Sequence, residues 1–146
     1  MVRCFSPVGQ CIPPMIIFPC KNMKAELMNG TPPGSTYACH SSGWIQNESF
    51  VDWLRHFIQH VKPTEDDPVL LVLDGHYSHT RNLEVITIAR ENFVHIVCLP
   101  PHSTHAAVRC CIHESLYYAQ EIINWLRQNP GRVVTVHQIV HIPTNM

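Results

Sequence analysis

The chain has 146 residues, of which 45% are apolar and 14% charged, with a formal net charge of −1. That is enough for one domain with a real core, and the apolar share excludes wholesale disorder. The near-neutral balance lacks the broadly basic face of an ordinary nucleic-acid binder, so any such contact must come from a local patch or from phosphates bridged by metal.

Seven cysteines, at positions 4, 11, 20, 39, 98, 110 and 111, are odd in number and form no Cys-x-x-Cys pair. With no secretory leader pattern and no apolar run of membrane-spanning length, they read as free thiols of an intracellular, non-secreted protein without a membrane partner. The vicinal pair Cys110-Cys111 is too close along the chain for a relaxed disulfide.

Residues 1–19, MVRCFSPVGQCIPPMIIFP, read as a hairpin turning at Val8-Gly9-Gln10. Pro13-Pro14 cannot donate ladder hydrogen bonds and suggest an edge strand or a bulge. Residues 20–44 are rich in Gly, Pro, Asn and Ser and read as a long connecting loop. A helix is expected next, with Asn47 as N-cap, Phe50, Leu54, Phe57, Ile58 and Val61 at helical spacing, and Lys62-Pro63 as its stop.

Two short aliphatic runs follow, each ending abruptly in ionisable residues: LLVLDGHYSH from Leu70 and VHIVCLPPHSTH from Val94. Such runs read as strands of a parallel sheet buried on both faces. Between them, Leu83, Ile86, Ala89 and Phe93 suit a crossover helix closed at Asn92, although Val85 to Ile88 also favour strand. Ligands gather beyond the carboxyl ends of such strands. This places Asp74, His76 and His79 after one strand and His102 and His105 after the next. Further on, Leu116, Ala119, Ile122, Ile123 and Leu126 predict a helix ended by Asn129-Pro130-Gly131, and the final segment leans towards a short helix.

LLVLDGHYSH followed by LPPHSTH resembles the DDE-superfamily endonuclease domain of pogo- and Tigger-type transposases and the genes derived from them. PPMIIFPCKNMK, PPGSTYACHSSGWIQNESFVDWLRHFI and YYAQEIINWLRQNPGRVVTVHQI resemble further parts of that domain, in the same order. The resemblance implies an α/β, ribonuclease-H-like fold over residues 1–142, with residues 45–105 as the core and 106–146 as a diverged helical tail. It also implies a nuclear protein that acts on DNA with two Mg²⁺ or Mn²⁺ ions held by three carboxylates. Two divalent ions in one small volume need that many hard oxygen ligands.

Asp74 matches the second carboxylate of the family. The first belongs to a strand before the hairpin and has no counterpart here, so the expectation is a truncated domain with two unpaired strand edges. The third falls in a Leu-Gln-Pro-Leu-Asp run that Ala106 to Cys111 replace, and Glu114 is the nearest acid. Asp74 is therefore expected as a residual metal ligand, and nuclease activity as lost. Taken alone, Asp74 would be an acidic turn residue at a strand end.

His76, His79, His102 and His105 are expected to orient loops facing DNA, and Arg81 to meet a phosphate. A rival reading has the two His-x-x-His pairs binding zinc with Asp74 near Cys98, a spacing outside the strong zinc signatures. Another makes the chain a non-enzymatic module that pairs its open sheet edge with a full-length, transposase-like homologue.

Overall fold

The computed structural model describes residues 1–74, 81–100, 120 and 122–132. Strand β1 is Met15–Phe18, β2 is Thr36–Cys39, helix α1 is Asn47–Val61, β3 is Val69–Leu73, helix α2 is Leu83–Glu91 and β4 is Val94–Cys98. These form two parallel pairs: β1 with β2, from Met15 opposite Thr36 to Phe18 opposite Cys39, and β3 with β4, from Val69 opposite Val94 to Leu73 opposite Cys98. The architecture is mixed α/β, as the sequence implied, and it is compatible with a ribonuclease-H-like domain.

The arms around Gly9 meet only at two isolated antiparallel bridges, Val2 with Met15 and Phe5 with Cys11. Gly9 closes the turn at φ +84°, a conformation open to glycine at no steric cost. Pro13 and Pro14 interrupt the ladder, and their carbonyls serve other elements instead. Pro13 accepts from the His56 ring at 2.8 Å, and Pro14 accepts from the Thr36 amide at 3.1 Å.

The stretch 20–44, expected to be a loop, holds a 3-10 turn at Ala25–Met28 and the whole of β2. That strand is fixed by a distant partner rather than by its own pattern, which is why local reading passed over it. Its Tyr37 ring stacks on Phe18 with centroids 6.3 Å apart, and the Tyr37 hydroxyl meets that of Thr31.

The cap of helix α1 lies one residue earlier than expected. Gln46 holds the extended cap conformation without a side-chain bond, and Asn47 is already helical. Its end lies where Pro63 removes the next amide: Lys62 turns left-handed at φ 52° and donates its N–H to the Ile58 carbonyl at 2.8 Å. The buried face of α1 carries Phe50, Val51, Trp53, Leu54 and Phe57, with Trp53 stacked between Phe50 (5.4 Å) and Phe57 (5.7 Å). Met15 and Ile17 of β1, Leu71 of β3, Val94 of β4, and Val85 and Ala89 of α2 close one core around it.

The segment between β3 and β4 is helical, but its inner face matches the expected one only at Ala89. Val85 and Ala89 are buried, whereas Leu83 is 76% exposed. Asn82 caps this helix by accepting the Glu84 amide at 3.1 Å, a bond that fixes the first turn and so the phase of the face. At the far end the Asn92 side chain donates to the Ile88 carbonyl at 2.8 Å, and Phe93 takes the left-handed conformation at φ 55°.

A second correction concerns β3 and β4. They were expected to be buried on both faces, yet among the described residues only one face is covered. Leu71 and Val94 are buried on the inner side, while Leu70, Val72 and Val97 remain 62%, 49% and 45% exposed. Residues 122–128 are helical as expected, and the Asn129 amide closes the last turn on the Trp125 carbonyl at 3.0 Å. The expected final helix lies outside the described residues.

Candidate functional site at the carboxyl edge of β3 and β4

Parallel strands end together, so whatever follows β3 and β4 meets at one edge. Leu73 and Cys98 are register partners, and the Leu99 amide donates to the Leu73 carbonyl at 2.8 Å, extending the ladder by one bond. Asp74 is the first residue past β3 and is exposed. Burial, and after it the Asp74 carboxylate, push the Cys98 thiol above its ordinary range. Two candidates named from sequence, Asp74 and Cys98, are thus neighbours in space as well.

Arg81 is exposed and stands just before the Asn82 cap of α2. His76, His79, His102, His105 and Glu114, with the Cys110-Cys111 pair, lie outside the described residues. Among the described residues, no group of three His, Cys, Asp or Glu side chains is placed to hold a metal ion.

Among the described residues, the donors brought to this edge are the Asp74 carboxylate and the Cys98 thiol. Magnesium takes an octahedral shell of oxygens and has no affinity for a neutral thiol, so this described pair does not fit the two-ion centre of the family. No catalytic step is routed through such ions here. The arrangement can place one negative charge at the rim of the sheet and keep the adjacent sulfur protonated.

The aromatics resolve as packing. Phe50, Trp53 and Phe57 are buried in the core, leaving Trp44 exposed before α1. The Trp53 indole N–H is buried with no acceptor in reach among the described residues. Arg55 bonds Glu84 at 2.9 Å and Asn82 donates to the Asn47 carbonyl at 3.3 Å, tying α1 to the start of α2. Those contacts hold the helix that leads away from the site. Sequence reading missed them, since a pair 29 residues apart leaves no local signal.

Comparison with known proteins gives the family. The family model of the DDE superfamily endonuclease matches residues 1–112. A curated relative, named MFS-type transporter clz9 from Cochliobolus lunatus, is 31% identical over 110 residues. The match covers 72% of this chain and 12% of that protein, so the transporter name belongs to a much longer molecule. No helix among the described residues is long and apolar enough to cross a membrane. No solved structure gives a significant match. The aliphatic strands, the acid at the end of β3 and the match over residues 1–112 agree: this chain belongs to the DDE superfamily of endonucleases.

Proposed function

We propose that this chain is a transposase-derived, pogo- or Tigger-type DDE domain that contacts DNA in the nucleus and does not itself cut it. The observation that carries this reading is the make-up of the β3–β4 edge, where, among the described residues, the group beside Asp74 is the Cys98 thiol and not a second carboxylate. Asp74 is proposed as a residual, single-ion ligand for Mg²⁺ or Mn²⁺. His76, His79, Arg81, His102 and His105 are proposed to face the DNA, and Glu114 is the one acid near enough in sequence to stand in for the lost third ligand. Zinc plays no part in this reading; appreciable zinc in protein purified without chelators, by elemental analysis, would revive the histidine-pair alternative.

The direct test is a plasmid-nicking assay in Mg²⁺ or Mn²⁺, run beside DNA binding over a salt series. No product, with affinity that falls steeply as salt rises, is the expected outcome, since phosphate contacts release counterions. Cleavage that Asp74→Asn abolishes would sink the inactivity claim. Affinity indifferent to salt would remove the phosphate contacts. A fluorescent fusion of the chain excluded from nuclei would count against the proposed place of action.

One observation favours a second reading. Leu70, Val72 and Val97 lie on the face of β3–β4 that no described residue covers, and exposed aliphatic area of this kind is suited to a partner. In this reading the chain pairs with a full-length homologue as a non-enzymatic module. Co-elution with that homologue in the absence of DNA supports it, and elution as separate species rejects it.

A further inference from the structure

At the opposite parallel pair, the ends of β1 and β2 bring two thiols together. Cys39 closes β2 opposite Phe18, and Cys20 lies two residues past Phe18. Both chains fold over the same carbonyl: the amides of Cys20 (2.9 Å) and His40 (3.1 Å) donate to the Phe18 oxygen. This pins the two backbones side by side just where the cysteines stand. Their Sγ atoms are 2.8 Å apart, within about 1 Å of the disulfide bond length of about 2.05 Å. Both residues are half-buried, leaving a path for a small reagent.

From this geometry we infer that Cys20 and Cys39 form a reversible disulfide clipping β1 to β2, made by exchange with a small-molecule disulfide such as glutathione disulfide. The thiolate of one cysteine attacks a glutathione sulfur, forming a mixed disulfide and expelling glutathione thiolate. The second cysteine, after giving its proton to that thiolate or to solvent, attacks the protein sulfur of the mixed disulfide. A second glutathione thiolate leaves and takes up a proton. Two protein thiols and one glutathione disulfide thus become one protein disulfide and two glutathiones. Burial, then the Cys20 sulfur beside it, push the Cys39 thiol up to about 11, which makes Cys39 the poorer first nucleophile and the natural second. The clip encloses the 3-10 turn at Ala25–Met28 and so ties down the segment that leads into β2.

The test uses the full chain, reduced in a chelator and then equilibrated across a series of glutathione redox ratios. Alkylation, digestion and mass spectrometry read the linkages. Expected is a Cys20–Cys39 linked peptide that outnumbers any other pairing by about tenfold, since proximity raises the effective concentration of the exchanging sulfurs. It disappears on reduction, and in urea the preference is lost among the seven cysteines. Cys39→Ser leaves Cys20 carrying glutathione at the same ratios, whereas Cys20→Ser leaves Cys39 largely open to alkylation. The wild-type linkage map stands even if either variant folds poorly. Three results would overturn the inference. Both thiols could remain alkylatable at the most oxidising ratio, or either could pair mainly elsewhere. Both could also be shielded before oxidation and released by the chelator, which would mean a soft cation bound between them and Met23, whose Sδ is 3.8 Å from the Cys39 sulfur.

Discussion

β1 and β3 are covered differently from what their sequences suggest. β1, MIIF, follows two prolines and stands at the edge of its two-stranded sheet, yet every one of its residues is buried. β3, VLLVL, is the most aliphatic strand and looked fully enclosed, yet Leu70 and Val72 are exposed. An aliphatic run shows that a strand can be covered, not how many layers cover it. Cover for β1 comes from the aromatic face of α1 on one side and includes the Tyr37 ring beside Phe18. β3 has the core on one side alone among the described residues. Parallel sheets are ordinarily packed on both faces, and among the described residues β3–β4 has such packing on one face alone.

Substitutions across the two strands sharpen that contrast most. Phe18→Ala should destabilise the protein by about 3–5 kcal/mol and Leu71→Ala by about 2–5 kcal/mol in urea unfolding, because each opens a cavity in the core. Leu70→Ala should stay within about 0.5 kcal/mol. Equal losses at Leu70 and Leu71 would mean that a further layer encloses β3 in solution, and the contrast would fail.

Oxidation of Cys20 with Cys39 comes next. Closing a loop of this size should raise stability by about 3 kcal/mol through the unfolded chain's lost entropy, as a higher urea midpoint of the oxidised form. No change in midpoint would place the clip in a part of the chain that unfolds independently of the core.

Alkaline pH gives a smaller effect of fixed sign. Cys39 and Cys98 both bind their protons more tightly when folded than the ordinary value of 9.0 allows. The folded state therefore holds more protons than the unfolded one above that value. Their contribution is complete below pH 9.0 and is lost as pH rises, for Cys39 towards about 11. Cys39→Ser should flatten the fall in melting temperature over that range; a fall that stays unchanged in both Cys39→Ser and Cys98→Ser assigns it to other groups. The smallest effect belongs to Arg55 and Glu84. Both are more than half exposed, so Glu84→Gln should change stability by less than about 1 kcal/mol, and the change should vanish in high salt.

The sequence made α1, β3, β4 and the carboxyl-edge position of Asp74 legible, because each is written in a local pattern: helical spacing of aromatics, aliphatic runs and a polar break. β2 was not legible, since Thr36–Cys39 gains its identity from hydrogen bonds to β1 rather than from its composition. The face of α2 was read only in part: Ala89 turns inward as expected, but Leu83 and Ile86 count as apolar by type, while the Asn82 cap sets the phase that buries Val85 instead. The nearness of Asp74 to Cys98 follows from strand register, and register is a property of the pair that neither strand encodes by itself. Cys20 and Cys39 escaped notice for the same reason: 19 residues separate them, and only the pairing of β1 with β2 brings their sulfurs together.

The stoichiometry of Mn²⁺ binding tests the site most directly, read by titration with an electron-spin signal in the presence of DNA. At most one loosely held ion, lost in Asp74→Asn, is the expected result. Two tightly held ions in the unmodified chain would show that further acids converge on the end of β3, and the site would then be an intact catalytic centre.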